Sequence, residues 1–386
     1  MITSMKLKSF LSGRPFNRKN FLFAAIVICL SMGTALLALE LFLRLAMPRP
    51  RSVEVNRQAP GLFSNRADGV YVETPLGLRL RPNRAVSLHY GAPVNRDQVV
   101  STNSLGYRNR EIGPKRGRRA LFLGDSITFG TFVDENETFV RQVERLARAR
   151  GEPLETINAG VGSVDLDTEL AILQESGLGV RPDIVVLDYY LNDFAPSPAF
   201  QMTRLPEVLA KSWLACYVLR ALPALSPRLG RSVLYRVNGL ERRRIEKDLC
   251  ARLPVGPGDW RKDRAAFNRL ICDAALDWGG AWSEVSWAKM EPVLERFRDV
   301  CRARGIRLVF VAFPVRFQVE SDFVDDFPQR RLKALARRLD LDVLDLLPLL
   351  RRDYRSMRSP LFYDDCHFTP AGHKLVAPWI HDFIRR

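Results

Sequence analysis

A short apolar run that ends in a tight turn is the feature that most constrains the fold of this chain. Ala120-Leu-Phe-Leu123 is continuously apolar, which is typical of a strand buried on both faces of a parallel sheet. Gly124, Asp125 and Ser126 follow it directly and are small or turn-forming residues. A hydroxyl in this position would stand at the carboxyl end of a strand, where open α/β sheets bind ligands. Taken alone, the stretch is also compatible with an ordinary strand followed by a loop.

Further apolar segments continue the pattern, and helical periodicity separates them. Strands are predicted at residues 155–158, 183–190, 306–313 and 341–346. Helices are predicted at 285–304, at 328–339 and along one apolar face formed by Phe139, Val140, Val143, Leu146 and Ala147. Alternating strands and helices predict an α/β fold, a three-layer doubly wound parallel sheet with helices on both faces, in a domain spanning residues 119–386.

Residues 196–284 interrupt this alternation and predict a helical insertion. The segment contains an apolar run from Trp213 to Leu222 and a basic cluster at Arg242, Arg243 and Arg244. Two roles stay open for it. One is a helical cover over the sheet, and the other is substrate selection or contact with a membrane surface.

The N-terminal segment predicts a membrane anchor. Residues 1–20 contain basic side chains and no acid, and Phe21 to Leu39 contains no charged residue. A helix needs roughly 20 such residues to cross a bilayer, whereas the apolar part of a cleaved signal peptide is usually about 7–15 residues long. We therefore favour an uncleaved signal anchor at 21–39 over a cleaved signal peptide.

The charges beside this segment predict its orientation. The basic residues before it are Lys6, Lys8, Arg14, Arg18 and Lys19, which indicate a cytoplasmic flank. Arg44, Arg49 and Arg51 on the other side weaken this inference without reversing it. The expectation is a single-pass protein of the inner membrane with a periplasmic catalytic domain. Residues 40–118 are expected to form an extended, partly β lead-in with an ordered turn at 103–108, where Gly106 permits a positive φ.

The strongly basic net charge limits the kinds of binding partner that are expected. The net charge of +16 suits anionic headgroups or an acidic polymer. Nucleic acid is not expected, because the chain has no zinc-finger, helix-turn-helix or aromatic RNA-binding signature. None of the six cysteines forms a CxxC pair, so zinc is not expected, and any disulfide pairing stays open.

Four loops carry residue types that acyl transfer requires. They contain Ser126, Asn158 to Ser163, Asn192-Asp193 and Asp364 to His367. Loops that follow parallel strands meet at one edge of the sheet, so these loops are expected to converge.

Chemistry then suggests the role of each residue. His367 would be the base that takes the proton of Ser126, and Asp364 would hold the other ring nitrogen and so select the tautomer. The backbone N–H of Ser126, a backbone N–H at Gly162 or Ser163, and the amide of Asn192 would stabilise the oxyanion.

Each of these pieces also has a simpler explanation. Asn192 could close a turn, and His367 could merely precede a helix that starts at Thr369-Pro370. Among the other candidates, Cys366 is a weaker nucleophile candidate than Ser126. His373 is expected to be a structural partner near the start of the helix, and His89 and His381 are expected at the surface.

The four loops together resemble the GDSL-type hydrolases, also called the SGNH family. Gly124 to Gly130 resembles the block that carries the nucleophilic serine, and Asp364-Asp-Cys-His367 resembles the closing block. The blocks between are matched by Asn158-Ala-Gly-Val and Leu191-Asn-Asp193, and the resemblance covers about residues 103–195 and 285–386. Ile127, Ser163 and Leu191 depart from the residues that are usual in the family.

This resemblance implies an esterase or related acyl-transfer enzyme that uses no metal or organic cofactor. The leading expectation is a serine esterase acting on acetyl or other ester bonds of a cell-envelope glycan or lipid. An O-acetyltransferase for an envelope polysaccharide is the first alternative, since some similar membrane-anchored proteins transfer acetyl groups. A non-catalytic envelope assembly protein with the same fold is the second.

Overall fold

The computed structural model describes residues 18–47, 53–55, 69–74, 76–194, 202–204, 211–226, 243–357 and 359–386. Several predicted features lie outside these residues. They are the basic positions Lys6, Lys8, Arg14, Arg49, Arg51 and Arg242, and parts of the lead-in and of the insertion.

The described strands occur in the lead-in and in the main domain. In chain order they are β1 (Val53–Val55), β2 (Tyr71–Thr74), β3 (Gly77–Leu80), β4 (Ala85–Tyr90), β5 (Arg96–Ser101), β6 (Arg118–Leu123), β7 (Leu154–Asn158), β8 (Ile184–Tyr189), β9 (Met202–Arg204), β10 (Arg307–Ala312) and β11 (Asp342–Asp345).

The helices follow the same order. They are α1 (Arg18–Ala46), α2 (Ser126–Phe129), α3 (Phe139–Ala149), α4 (Leu166–Ile172), α5 (Trp213–Leu225), α6 (residues 243–252), α7 (Arg264–Asp273), α8 (Glu284–Arg302), α9 (Arg316–Glu320), α10 (Phe327–Leu339), α11 (Leu346–Tyr354) and α12 (Pro370–Arg385).

Five of the strands form one parallel sheet in the order β11-β10-β8-β6-β7. The first of them along the chain, β6, lies between β7 on one side and β8 on the other, so the winding reverses direction at β6. Such a reversal opens a crevice at the carboxyl ends of the strands. The α/β class and the doubly wound parallel sheet predicted from the sequence are confirmed.

Helices cover the sheet, and its central strand is fully buried. α3 packs on β7 and on α12, while α8 packs on β10 and on α4 and α10. Every residue of β8 is buried, including Asp188, whose carboxylate accepts a hydrogen bond from the hydroxyl of Thr128. The central strands are therefore rigid supports for the loops at their ends.

The lead-in contains two antiparallel hairpins, β2–β3 and β4–β5. This confirms that it is partly β, and the predicted turn at 103–108 is ordered. Gly106 has a φ of +76°, and a Cβ on it would lie 2.4 Å from the carbonyl oxygen of Leu80. The side-chain oxygen of Asn103 accepts the N–H groups of Leu105 and Tyr107, which closes the turn.

The N-terminal helix is longer than the predicted apolar segment. α1 continues past Leu39 to Ala46, so the extended lead-in cannot begin at residue 40. Ala25–Ala46 is long and apolar enough to cross a membrane, with a mean hydropathy of 2.3. Periodic helical hydrogen bonding carries the helix through Glu40 and Arg44, two charged residues that pair with each other.

The described part of the insertion is mainly helical, in α5, α6 and α7. A short 3-10 helix, Trp278–Trp282, ends it. The sequence pattern did not predict β9, which pairs antiparallel with β1 of the lead-in.

Candidate active site

Ser126 is the first residue of α2, immediately beyond the carboxyl end of β6. Asp125 precedes it and caps the helix, because its Oδ1 accepts the N–H of Ile127 at 2.9 Å. Gly124 has no room for a side chain, since a Cβ there would lie 2.2 Å from Oγ1 of Thr128. The Gly-Asp-Ser sequence thus turns the chain within one residue of the strand and presents the serine hydroxyl at the sheet edge.

The loop before α12 brings a histidine to that hydroxyl. Nε2 of His367 lies 2.8 Å from Oγ of Ser126, and Nδ1 of His367 lies 2.6 Å from Oδ2 of Asp364. Oδ1 of Asp364 also accepts the backbone N–H groups of Cys366 and His367, at 2.9 and 2.7 Å. One carboxylate therefore orders both the loop and the ring that the loop carries.

Electrostatics at this pair favour the ionised aspartate and the protonated ring. Burial raises the pKa of Asp364, but the hydrogen bond and the charge of His367 outweigh it and lower the pKa to about 2. Burial lowers the pKa of His367, and the hydrogen bond and charge of Asp364 outweigh it, so the His367 pKa lies above its usual value. The ring is thus a stronger base than a free histidine.

One phenylalanine ring packs against the histidine ring. Phe132 meets His367 edge to face at 5.0 Å between ring centroids, and its backbone has a positive φ of 73°. Gln98 from β5 holds this segment by donating to the carbonyl oxygen of Gly130 at 2.7 Å, and its side-chain oxygen accepts the N–H of Phe132.

The buried Arg108 fastens the same segment. Its guanidinium donates to the carbonyl oxygens of Phe129, Gly130 and Val133 at 2.6 to 2.7 Å. Arg108 and Gln98 both belong to the lead-in, which therefore contributes to the site rather than only surrounding the domain. Neither residue was predicted from the sequence, because no local pattern ties them to the nucleophile turn.

The expected oxyanion donors lie in three loops, which follow β6, β7 and β8. Ser163 has a φ of +63°, a left-handed conformation that glycine adopts more easily, which accounts for glycine being usual at this position. Among the described residues, the backbone N–H of Ser163 has no acceptor. Gly162 lies directly against the lead-in, since a Cβ on Gly162 would lie 2.8 Å from the hydroxyl of Tyr71.

The other two expected donors have acceptors within the chain. The N–H of Ser126 donates to the carboxylate of Asp125, and the side chain of Asn192 donates to Asp277. Asn192 is buried at the end of the loop that follows β8, and its side-chain oxygen has no partner among the described residues. An amide has two N–H bonds, so one can contact Asp277 while the other serves a ligand.

Comparison with protein families decides the classification. The sequence model of the GDSL-like Lipase/Acylhydrolase family matches residues 122–375, well over half of the chain.

The chain belongs to this family.

It is therefore a hydrolase of ester bonds, as the resemblance predicted. No curated protein matches the chain significantly.

Solved structures with a related fold include several esterases. An acetyl xylan esterase, AlAXEase, shares 13% identity over 69% of this chain and 99% of its own, with a TM-score of 0.39. A two-domain esterase active on acetylated mannans shares 15% identity over 70% of this chain and 49% of its own, with a TM-score of 0.39. A member of the lipolytic G-D-S-L family from Veillonella parvula shares 13% identity over 70% of this chain and 100% of its own, with a TM-score of 0.38.

The end of the insertion reaches both sides of this GDSL site. Asp277 accepts the hydrogen bond from Asn192, and the indole nitrogen of Trp278 donates to Oδ2 of Asp365 at 3.0 Å. Burial, together with the nearby carboxylate of Asp365, raises the pKa of Asp277 to about 6. The role of this segment stayed open in the sequence, between a helical cover and substrate selection or membrane contact, and neither residue was predicted. Asp277 and Trp278 could not be recognised from the sequence, because the residues that they contact, Asn192 and Asp365, are distant in the chain.

Cys366 has no thiolate character. Burial, followed by the nearby carboxylates of Asp364 and Asp365, raises the pKa of its thiol well above the usual range. A neutral thiol is a poor nucleophile, so Ser126 is the better candidate.

Asp364, Cys366 and His367 are the one described group whose ligand atoms lie close enough to hold a metal ion. The 2.6 Å between Oδ2 of Asp364 and Nδ1 of His367 is a hydrogen-bond distance. Two ligands at about 2.0 Å from one tetrahedral ion would stand roughly 3.3 Å apart, so these two atoms leave no room for an ion between them.

The other three histidines lie outside the Ser126–His367–Asp364 contacts. Nδ1 of the buried His373 accepts the N–H of Phe139 at 3.2 Å, which agrees with the structural role predicted for it. His89 is exposed, as expected. The prediction for His381 was wrong: its ring is fully buried, with Nε2 3.1 Å from Glu152 and Nδ1 3.1 Å from Arg150. α12 packs on α3, which turns this histidine inward.

Proposed function

We propose that this family member is a serine esterase in which Ser126 is the nucleophile, His367 the general base and Asp364 the residue that orients His367. The observation that carries the proposal is the continuous chain of short contacts, 2.8 Å from Oγ of Ser126 to Nε2 of His367 and 2.6 Å from Nδ1 to Asp364. In the tautomer that protonates Nδ1, Nε2 is free to accept the serine proton.

The reaction would run in two halves. Oγ of Ser126 attacks the ester carbonyl while His367 takes the hydroxyl proton, and the imidazolium then gives this proton to the leaving alkoxide. The acyl group remains on Ser126. His367 next takes a proton from an incoming water, whose oxygen attacks the acyl carbonyl. The bond between the acyl carbon and Oγ of Ser126 then breaks, the imidazolium returns the proton to Oγ, and the acid is released.

Two donors are proposed for the oxyanion of each tetrahedral intermediate. They are the backbone N–H of Ser163, which has no acceptor among the described residues, and the second N–H of the Asn192 amide. The Ser126 amide, also expected from the sequence, would first have to leave Asp125, and Gly162 lies against the hydroxyl of Tyr71. We therefore assign the larger share of oxyanion stabilisation to Ser163 and Asn192.

The proposed substrate is an acetyl or other ester of a cell-envelope glycan or lipid. An O-acetyltransferase is the second candidate, since a sugar hydroxyl can replace water in the second half of the reaction. A non-catalytic assembly protein would have no need of the short Asp364–His367–Ser126 contacts. The proposed location is the inner membrane, with α1 as a single span and the catalytic domain in the periplasm, supported by the length and hydropathy of Ala25–Ala46.

A chromogenic acetyl ester tests the activity directly. The full-length protein in detergent should release acetate, and Ser126→Ala protein should not. A series of longer acyl esters then measures the acyl preference. If added oligosaccharide gains acetyl groups at the expense of free acetate, the transferase candidate replaces the esterase.

Reporter fusions test the location independently. Alkaline phosphatase joined after residue 60 should be active, and washed membranes should retain the full-length chain. Activity of a reporter that works only in the cytoplasm would overturn the orientation, and a soluble mature chain beginning near residue 40 would mean that the apolar segment is cleaved.

A further inference from the structure

The first turn of α5 is capped by a residue of the N-terminal helix. Glu40 accepts the backbone N–H groups of Trp213 at 3.0 Å and Leu214 at 2.8 Å, together with the hydroxyl of Ser212 at 3.0 Å. These N–H groups lack partners within a helix, and a carboxylate at this end also interacts favourably with the helix dipole. Glu40 is the only acidic residue in α1.

A second contact reinforces the junction. The guanidinium of Arg44 donates to Oε1 of Glu40 and to the carbonyl oxygen of Lys211, each at 2.7 Å. Two successive turns of α1 thus hold the start of α5. These contacts fix the start of α5 next to the C-terminal end of α1.

The outward face of α5 is apolar. Val218, Ala221 and Leu225 are exposed, Val218 by 49% and Leu225 by 81%, and their spacing places them on one helix face. Cys216 and Leu219, on the opposite side, are buried. An exposed helix face formed by apolar side chains such as these is poorly suited to water.

The start of α5 adjoins the part of α1 that would leave the bilayer. Leu37, Leu41 and Leu45 of α1 are 72%, 58% and 80% exposed and flank the Glu40 junction along the helix. The uncharged segment ends at Leu39, so Glu40 would lie at the edge of the hydrocarbon layer. With 13 residues, α5 is about 20 Å long at 1.5 Å per residue, too short to cross about 30 Å of hydrocarbon.

We propose that α5 lies in the membrane interface, with Val218, Ala221 and Leu225 facing the lipid. Trp213 and Tyr217, which are half-buried, suit the headgroup level, where aromatic residues are enriched. Arg44 and the exposed Lys211 stand at the same junction and complement anionic headgroups. The insertion thereby becomes a second membrane contact of the catalytic domain. The inference rests on the proposed membrane location of α1.

Site-directed spin labelling tests the proposal on the full-length protein. The protein is reconstituted into vesicles of phosphatidylethanolamine and phosphatidylglycerol, in a background that replaces Cys29, Cys250 and Cys272 by serine. Labels are placed at Val218→Cys and Leu225→Cys. The matched control is Val99→Cys, an equally exposed valine (55%) in the β4–β5 hairpin. Accessibility is measured to oxygen, which concentrates in lipid, and to a nickel chelate, which stays in water.

The expected result is a high oxygen-to-nickel ratio at 218 and 225 and a low ratio at 99. A label on the native Cys29, which is exposed in the middle of α1, reports the span itself. A lipid signal at Cys29 with water signals at 218 and 225 would overturn the inference and leave the anchor intact. A water signal at Cys29 as well would overturn the membrane location. Strong spin–spin broadening at 218 or 225 would identify a second copy of the chain as the occupant, against the proposal.

A variant of Glu40 tests the contact between α1 and α5. Glu40→Ala removes the cap of α5, and the labels at 218 and 225 should then become more mobile and lose part of their oxygen accessibility, while the Cys29 label does not change. Unchanged labels at 218 and 225 would show that Glu40 does not hold the helix at the interface.

Discussion

Nε2 of His367 lies 2.8 Å from Oγ of Ser126, although 241 residues separate the two in the chain. This contact makes Ser126 the hydroxyl that a fluorophosphonate probe should label. Ser126→Ala should abolish labelling and lower kcat on the order of 10⁶-fold, as for other serine nucleophiles. The circular dichroism spectrum and unfolding temperature should stay close to those of the parent.

A matched control uses the neighbouring thiol. Cys366→Ala removes a side chain next to His367 and leaves the Ser126 contact in place. Labelling should persist in this variant. If Ser126→Ala labels as well as the parent, the nucleophile has been misassigned.

The two adjacent aspartates of the closing loop should behave differently. Asp364 contacts Nδ1 of His367, whereas Asp365 accepts the indole N–H of Trp278. Asp364→Asn should therefore lower kcat on the order of 10⁴-fold, because the amide favours the wrong tautomer of the ring. Asp365→Asn should have a much smaller effect. Steady-state kinetics of both variants would contradict this assignment if the order were reversed.

The pH dependence of kcat/KM should report the His367 pKa. The free enzyme needs a neutral imidazole, and Asp364 holds the His367 pKa above the usual value of about 6.5. Activity should thus fall on the acid side of a pH above 6.5. In Asp364→Asn the residual activity should fall at a lower pH, because the charge that stabilises the imidazolium is gone.

A second group near the site titrates in a similar range. The pKa of Asp277 is about 6, so the profile should be repeated with Asp277→Asn. The acid limb should keep its position in this variant. A limb that disappears with Asp277 would belong to the carboxylate and not to His367.

The contact between Asn192 and Asp277 should affect kcat more than KM. Asn192→Ala should lower kcat about 100- to 1,000-fold if its amide stabilises the oxyanion. Asp277→Ala removes the acceptor that orients this amide, and a lost hydrogen bond of about 1 kcal/mol corresponds to roughly a fivefold decrease. Asp277→Asn keeps an acceptor oxygen and should recover part of the loss. A purely structural role would lower stability and leave kcat unaffected in the folded fraction.

Glu169 should destabilise the protein at neutral pH. It is fully buried, and neither carboxylate oxygen has a partner among the described residues. Burial raises its pKa well above the usual value, and the nearby Asp125, Asp165 and Asp188 raise it further. The folded chain therefore holds a proton that the unfolded chain loses above about pH 4.3, and stability falls as the pH rises from there toward the folded pKa.

Glu169→Gln keeps the size of the side chain and removes this titration. The variant should unfold at a temperature about 5 °C higher than the parent at pH 8 and at nearly the same temperature at pH 4. Glu175→Gln, which only removes an exposed partner of Arg79, is the control and should lower stability slightly. Equal shifts for Glu169→Gln at both pH values would disprove the charge explanation.

Local patterns were sufficient for much of the fold. β6, β8 and β10 were predicted correctly because each contains a run of consecutive apolar residues, which is typical of a strand buried on both faces. The helix at 328–339 was placed within a residue of α10, since its apolar face repeats with helical spacing. The end of α1 was misjudged at Leu39, because a charge pair four residues apart continues the helix where hydrophobicity stops.

The sequence by itself determined the α/β class, the apolar N-terminal segment and the four loops at the sheet edge, because each depends on residues close together in the chain. Only the tertiary structure decided which side chains surround Ser126. Tyr71, Arg108 and Asp277 reach the site from the lead-in and the insertion, and His381 turns inward where α12 meets α3. Such contacts join residues with no shared periodicity or spacing, so they exist only once packing has brought distant segments together.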